Sequence, residues 1–179
     1  MNKFPDIVYE KTNIFIEDSL VKVPRMGIII NNLNNNEIVY RFIRNSNQEM
    51  KSGNIEISCF SSDKSVPVIT PLFPIYSITQ ITSYSGPIVA TDLATWQMSQ
   101  NNYASKRYLY LYDIGYLSKI PRELVQKVND SNYVIFSHTD KHNQYLKKLG
   151  FNVSNFTVKN FNIQQMDFIW QKHPKNQKQ

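Results

Sequence analysis

The stretch VIFSHTDKHNQYLKKLGF, residues 134–151, holds one complete unit of the fold. Three β-formers, Val134 to Phe136, run into the polar corner Ser137-His138-Thr139-Asp140, and a helical pattern follows and stops at Gly150. β-Branched and aromatic residues favour the pleated, buried environment of a strand. A hydroxyl or acid ahead of a periodic segment and a glycine behind it mark the two ends of a helix. The spacing therefore predicts strand, corner and helix, with FNVSNFTV (151–158) as the next strand.

The same unit recurs upstream. GPIVATD (86–92) and KRYLYLYD (106–113) each read as strand and polar corner, with LATWQMSQNN (93–102) and IPRELVQKVND (120–130) as the helices behind them. Nearer the amino terminus, MGIIINN (26–32) is an apolar run of buried-strand length. NNNEIVYRFIRNSNQEMKSG (34–53) has Ile38, Val39, Phe42 and Ile43 at helical spacing, Asn34 to Asn36 as candidate caps and Gly53 as its stop. IEISCF (55–60) reads as a strand, and VPVITPLF (66–73) has the apolar residues of a third, although Pro67, Pro71 and Pro74 break it and make that region a loop-rich connection. Strands that are continuous apolar runs, alternating with helices, predict a Rossmann-like α/β domain with a doubly wound, mainly parallel sheet. Its expected limits are 27–170, with 1–26 an extended segment and 171–179 a frayed basic tail.

A chain of 179 residues buries about 70% of its unfolded surface. Lys172, Lys175 and Lys178 in the tail supply three of the six net positive charges, and no long basic run remains to argue for nucleic acid. Cys59 is the one cysteine, so a disulfide within the chain is excluded and a small buried hydrophobe is expected. The opening MNKFPDIVYEK is polar, and no apolar run approaches the ~20 residues that span a bilayer. A cytoplasmic protein with no membrane partner is the expectation.

In open α/β sheets, ligands bind outside the carboxyl ends of the strands, where strand order reverses. Those ends carry Asn31 and Asn32, Thr91 and Asp92, Asp113, and the corner Ser137, His138 and Thr139. Such residues are also the preferred helix N-caps, so each has two readings, cap or ligand group. Asp113 stands apart, because IGYLSKI separates it from the next helix. His138 and His142 share the four-residue spacing of one helical face, but no third ligand stands at suitable spacing and no metal is expected. Trp96 lies four residues after Asp92, either in the core or as an aromatic platform beside an acid. The five glycines form neither G-x-G-x-x-G nor G-x-x-x-x-G-K-[ST], and no nucleophile elbow is present. No cofactor is therefore expected.

Taken together, GPIVATDLATWQ, RYLYLYDIGYL and NYVIFSHTDKHNQYLKKLGF resemble the amino-terminal half of the two-domain (GT-B) glycosyltransferases, phage-type enzymes among them. The likeness spans residues 27–155 and is one of pattern. It implies a sugar-transfer site with Asp92, Asp113, Ser137 and His138 facing an inter-domain cleft, Asp113 and His138 being the catalytic candidates. Asn31, Asn32, Trp96 and Thr139 are the remaining candidates for a sugar or nucleotide-sugar ligand. Enzymes of this family bind the donor mainly through a second domain, which a sequence ending at Gln179 leaves to a protein partner. The alternative is a non-catalytic α/β domain that binds a ligand or a protein, including a viral structural or interaction protein. In the resemblance Phe168, Ile169 and Trp170 become a docking helix; otherwise they cap this domain's own core.

Overall fold

The computed structural model describes residues 23–34, 36–63, 65–104 and 106–172, without the side chains of Asp167, Trp170, Gln171 and Lys172. Residues 1–22 of the expected extended segment 1–26 and residues 173–179 of the expected tail 171–179 lie outside the described residues.

Seven strands form one sheet in the order β3-β2-β1-β4-β5-β6-β7, and every neighbouring pair is parallel. The strands are β1 (Arg25–Ile30), β2 (Glu56–Ser61), β3 (Ile75–Ser77), β4 (Ile88–Ala90), β5 (Arg107–Leu111), β6 (Val134–Ser137) and β7 (Val153–Thr157). The helices are α1 (Glu37–Ser52), α2 (Leu93–Met98), α3 (Arg122–Asp130), α4 (Asp140–Lys148) and α5 (Ile163–Lys172). This is the Rossmann-like α/β arrangement that the alternating pattern predicts.

The two faces of the sheet sort the apolar residues by the two-residue period of a strand. Ile28, Ile30, Tyr108, Tyr110, Val134 and Phe136 pack with Val39, Phe42 and Ile43 of α1 and with Ile163, Met166 and Ile169 of α5. Leu109, Leu111 and Ile135 pack on the other face with Leu93 and Trp96 of α2, Val125 and Val128 of α3, and Leu146 of α4. Cys59 is fully buried in β2, and burial pushes its thiol up to about 12. The apolar end of α5 thus caps this domain through Ile163, Met166 and Ile169, while Phe168 is exposed and meets Phe156 edge-on at 6.3 Å.

Helix ends follow the residues expected of them. Asn36 caps α1 by accepting the Val39 N–H at 2.9 Å, and Gly53 closes it at φ 69°. Of the two readings of VPVITPLF, the strand fails and the loop-rich connection holds: residues 65–74 form no strand, and β3 begins at Ile75. Prolines cannot donate to a ladder, so a segment holding three of them in eight residues is displaced from the sheet. The short strand that pairs instead, Ile75–Ser77, is an exposed edge.

Beyond β3 the chain crosses the opposite face in a 3-10 turn at Ile78–Ser83 and brings Tyr84 under β1 and β2. A Cβ added at Gly27 would lie 2.7 Å from Tyr84 Cε1 and 3.2 Å from Phe60. Gly27 is therefore fixed by the close approach of two aromatic rings to the backbone. Gly27→Ala is expected to lower stability by about 1–3 kcal/mol, the usual range for overpacking. Urea unfolding should show a smaller loss when Gly27→Ala is made in a Tyr84→Ala background, where the ring is gone.

Candidate functional site

The chain winds from β1 outward to β2 and β3, then crosses to β4 on the other side of β1. The reversal falls between β1 and β4, and elements leaving their carboxyl ends diverge there. The gap is a crevice of about 130 Å³ lined by Asn31, Asn32, Asn36, Thr91, Asp92, Asp113 and Tyr116 over a floor of Ile30, Ile38 and Val39. Five of the strand-end residues singled out from the sequence, Asn31, Asn32, Thr91, Asp92 and Asp113, meet here from three different strand ends.

Each of these side chains is held by one hydrogen bond and keeps a second polar group in reserve. Asn31 Oδ1 accepts from Ser62 Oγ at 2.8 Å, Asn32 Oδ1 accepts the Asn34 N–H at 3.3 Å, and Asn36 Oδ1 serves as the α1 cap. Their three Nδ2 groups have no hydrogen-bond partner among the described residues. Across the crevice, Asp92 Oδ1 accepts the Thr95 N–H at 2.7 Å and Asp113 Oδ1 accepts the Gly115 N–H at 3.0 Å. One carboxylate oxygen of each aspartate is left over. The β1–α1 side thus offers amide donors, and the β4 and β5 ends offer carboxylate acceptors.

The Asp92 corner is rigid. Thr95 Oγ1 accepts the backbone N–H groups of Thr91 at 2.9 Å and Asp92 at 3.0 Å, closing a capping box with Asp92. Thr91 Oγ1 donates to the Ile29 carbonyl at 2.8 Å, tying β4's end to β1. Tyr116, on a 3-10 turn at Gly115–Lys119, accepts the Leu93 N–H at 3.3 Å. Burial pushes its phenol up to about 12, with Asp92 and Asp113 adding to the rise, so it stays a neutral hydroxyl. Tyr116 escaped the sequence reading because IGYLSKI shows neither strand nor helix periodicity.

The remaining candidates are placed elsewhere. Trp96 is buried in the core, its Nε1 donating to Ser131 Oγ at 3.2 Å and its ring edge-on to Tyr133 at 6.5 Å. Ser137 is fully buried and donates to the Thr139 carbonyl at 3.2 Å; Thr139 caps α4 through the His142 N–H at 3.2 Å. His138 lies beyond the crevice lining, its ring 4.4 Å from Tyr112 and its Nδ1 accepting the Asn160 N–H at 3.2 Å. Its pKa is lowered, first by burial and then by His142 and Arg41, while a backbone hydrogen bond to Val158 acts the other way. Among the described residues no cluster of three or more His, Cys, Asp or Glu could hold a metal ion. No helix among them is long and apolar enough to cross a membrane.

Thr95→Val should strip one buried and one half-buried N–H group of their acceptor and lower stability by about 2–3 kcal/mol. Asp113→Asn keeps an acceptor for Gly115 on an exposed side chain and should change stability by no more than about 0.5 kcal/mol. Chemical denaturation of both variants distinguishes the rigid corner from the free one. Compared with family models, with curated proteins and with solved structures, the chain matches none of them, and the crevice is read from its own residues.

Proposed function

We propose that the crevice binds a neutral polyhydroxylated ligand, as the acceptor side of a GT-B-like glycosyltransferase. The observation that carries this reading is the opposition of three uncommitted amide groups to two half-committed carboxylates at the strand-order reversal. A sugar hydroxyl donates and accepts at once, so it satisfies both walls. A phosphate would meet two aspartates with no Lys or Arg in the lining to offset them. The volume, about 130 Å³, is below the few hundred Å³ of a closed ligand pocket. It suits the edge of one sugar ring better than a nucleotide.

In this reading Asp113 is the catalytic base. Its second oxygen takes the proton from the acceptor hydroxyl as that oxygen attacks the anomeric carbon of the donor and the nucleotide diphosphate leaves. Asp92 and the asparagines orient the ring, and Tyr116 forms one wall. His138 lies outside this constellation and serves the neighbouring strand end.

The second reading, a non-catalytic domain that binds a protein, draws on the apolar edge around β3. Leu72, Ile75 and Tyr76, on β3 or just before it, are all exposed, and an exposed apolar edge strand is a surface on which another chain can pair.

Thermal unfolding against simple glycans, nucleotide sugars and free nucleotides separates these readings. Saturation at ~100 times the dissociation constant adds about 2.7 kcal/mol, a shift of roughly 5–10 °C for a domain of this size. A shift with glycans that is lost in Asp92→Asn and Asp113→Asn supports the acceptor site, and Asp113→Asn is then expected to abolish transfer from a nucleotide sugar. A shift with free nucleotides alone would overturn it. No shift with any ligand leaves the protein-binding reading.

A further inference from the structure

The turn between β7 and α5 is built on an unusual backbone. Asn160 and Phe161 both sit at positive φ, 52° and 57°. Asparagine tolerates that region, but a bulky residue such as phenylalanine adopts it only when its surroundings hold it there. The Phe161 side of the turn is held by packing: its ring lies edge-on to Tyr110 at 4.7 Å and beside Phe42 and Tyr112 at 5.7 Å. Tyr110 Oη also donates to the Val158 carbonyl at 2.7 Å. The Asn160 side is held by polar bonds alone. Asn45 Nδ2 donates to its carbonyl, and its N–H donates to His138 Nδ1.

We propose that protonation of His138 releases the Asn160–Phe161 turn, so that mild acid loosens α5 from the sheet face it covers. An imidazolium has no acceptor nitrogen in either ring orientation. Once charged, His138 sets a donor against the Asn160 N–H, and one of the two polar restraints on Asn160 is lost. The surroundings act in both directions, and the Val158 backbone favours the charged ring. His142 of α4 lies 5.9 Å away, ring centre to ring centre, with its Nδ1 buried and without a partner among the described residues. From α1, Arg41 opposes a charge on His138 and Glu37 favours it, but Glu37 is engaged with Arg41 at 2.6 Å. Tyr112 of β5 stacks against the ring as a neutral phenol, its own pKa raised by burial.

The direction of the response follows from the lowered pKa of folded His138. The unfolded chain takes up this proton near pH ~6.5, the folded chain only at lower pH. Stability from this group is therefore full above pH ~6.5 and is lost as the pH falls through that value toward the folded pKa. Because Phe161 packs on Phe42 of α1, whose first turn floors the crevice, the turn and the crevice share one helix.

The test is an NMR titration of the full chain from pH 8 to pH 5, following the His138 Hε1 and Asn160 amide resonances together with amide exchange over 159–169. The expected result is a His138 midpoint below 6.5, an Asn160 shift with the same midpoint, and lower protection factors over 159–169 at the acid end once the base-catalysed intrinsic rate is divided out. His138→Gln, which offers a non-titrating carbonyl acceptor, should flatten the pH dependence of these protection factors, whereas His142→Gln should keep it. An Asn160 resonance or exchange pattern that ignores the His138 midpoint would overturn the proposal in the unmodified protein, even if His138→Gln did not fold. So would a pH dependence that survives in His138→Gln and vanishes in His142→Gln.

Discussion

Strand β1 is hydrogen-bonded on both sides, to β2 over six residues and to β4 over three, and it is buried on both faces from Met26 to Ile30. Much else in the molecule answers to that position. A central parallel strand must be covered above and below, so the chain has to place α1 and α5 on one face and α2, α3 and α4 on the other. It must also stop building outward at β3 and return across the sheet to β4. The return leaves a gap where no helix crosses, and that gap is the crevice. The site is thus a consequence of topology before it is a consequence of any particular side chain.

The outline was legible because buried parallel strands are continuous apolar runs and their helices have marked ends. Asn36, Gly53, Asp92, Thr139 and Gly150 all stand at the helix ends that their chemistry suggests. What was not legible involves contacts between segments distant in sequence. Asn160 and Phe161 belong to no periodic pattern, and nothing local says that a histidine 22 residues upstream takes the turn's N–H. Tyr116 sits in a 3-10 turn whose residues would suit a plain loop. VPVITPLF carried both signals, an apolar composition and prolines that lack the backbone donors a strand needs, and the prolines decide.

The candidate site was half legible for the same reason. Asn31, Asn32, Asp92 and Asp113 could be gathered because every parallel strand ends at the same sheet edge, a rule that needs no coordinates. That rule does not say which ends adjoin the reversal. Ser137, His138 and Thr139 end β6, which is separated from β4 by β5, and so they fall outside the crevice lining. Trp96 was set beside Asp92 by helical spacing, but α2 turns that face onto the core, where the indole finds Ser131.

Capping and ligand binding, set against each other as readings of a polar corner, are compatible in this crevice. A carboxylate has two oxygens and a side-chain amide has an acceptor and a donor group. Asp92, Asp113, Asn31, Asn32 and Asn36 each commit one atom to the protein, most often to a backbone N–H, and that bond fixes the side chain. The other atom then stands in a fixed place without a partner among the described residues. Preorganisation of this kind lowers the entropy lost when a ligand is bound, because the rotamers are already chosen by the fold. The local hydrogen bond that a helix or turn needs is therefore also what makes the leftover atom useful. A corner that satisfied both atoms internally would be more stable and chemically inert.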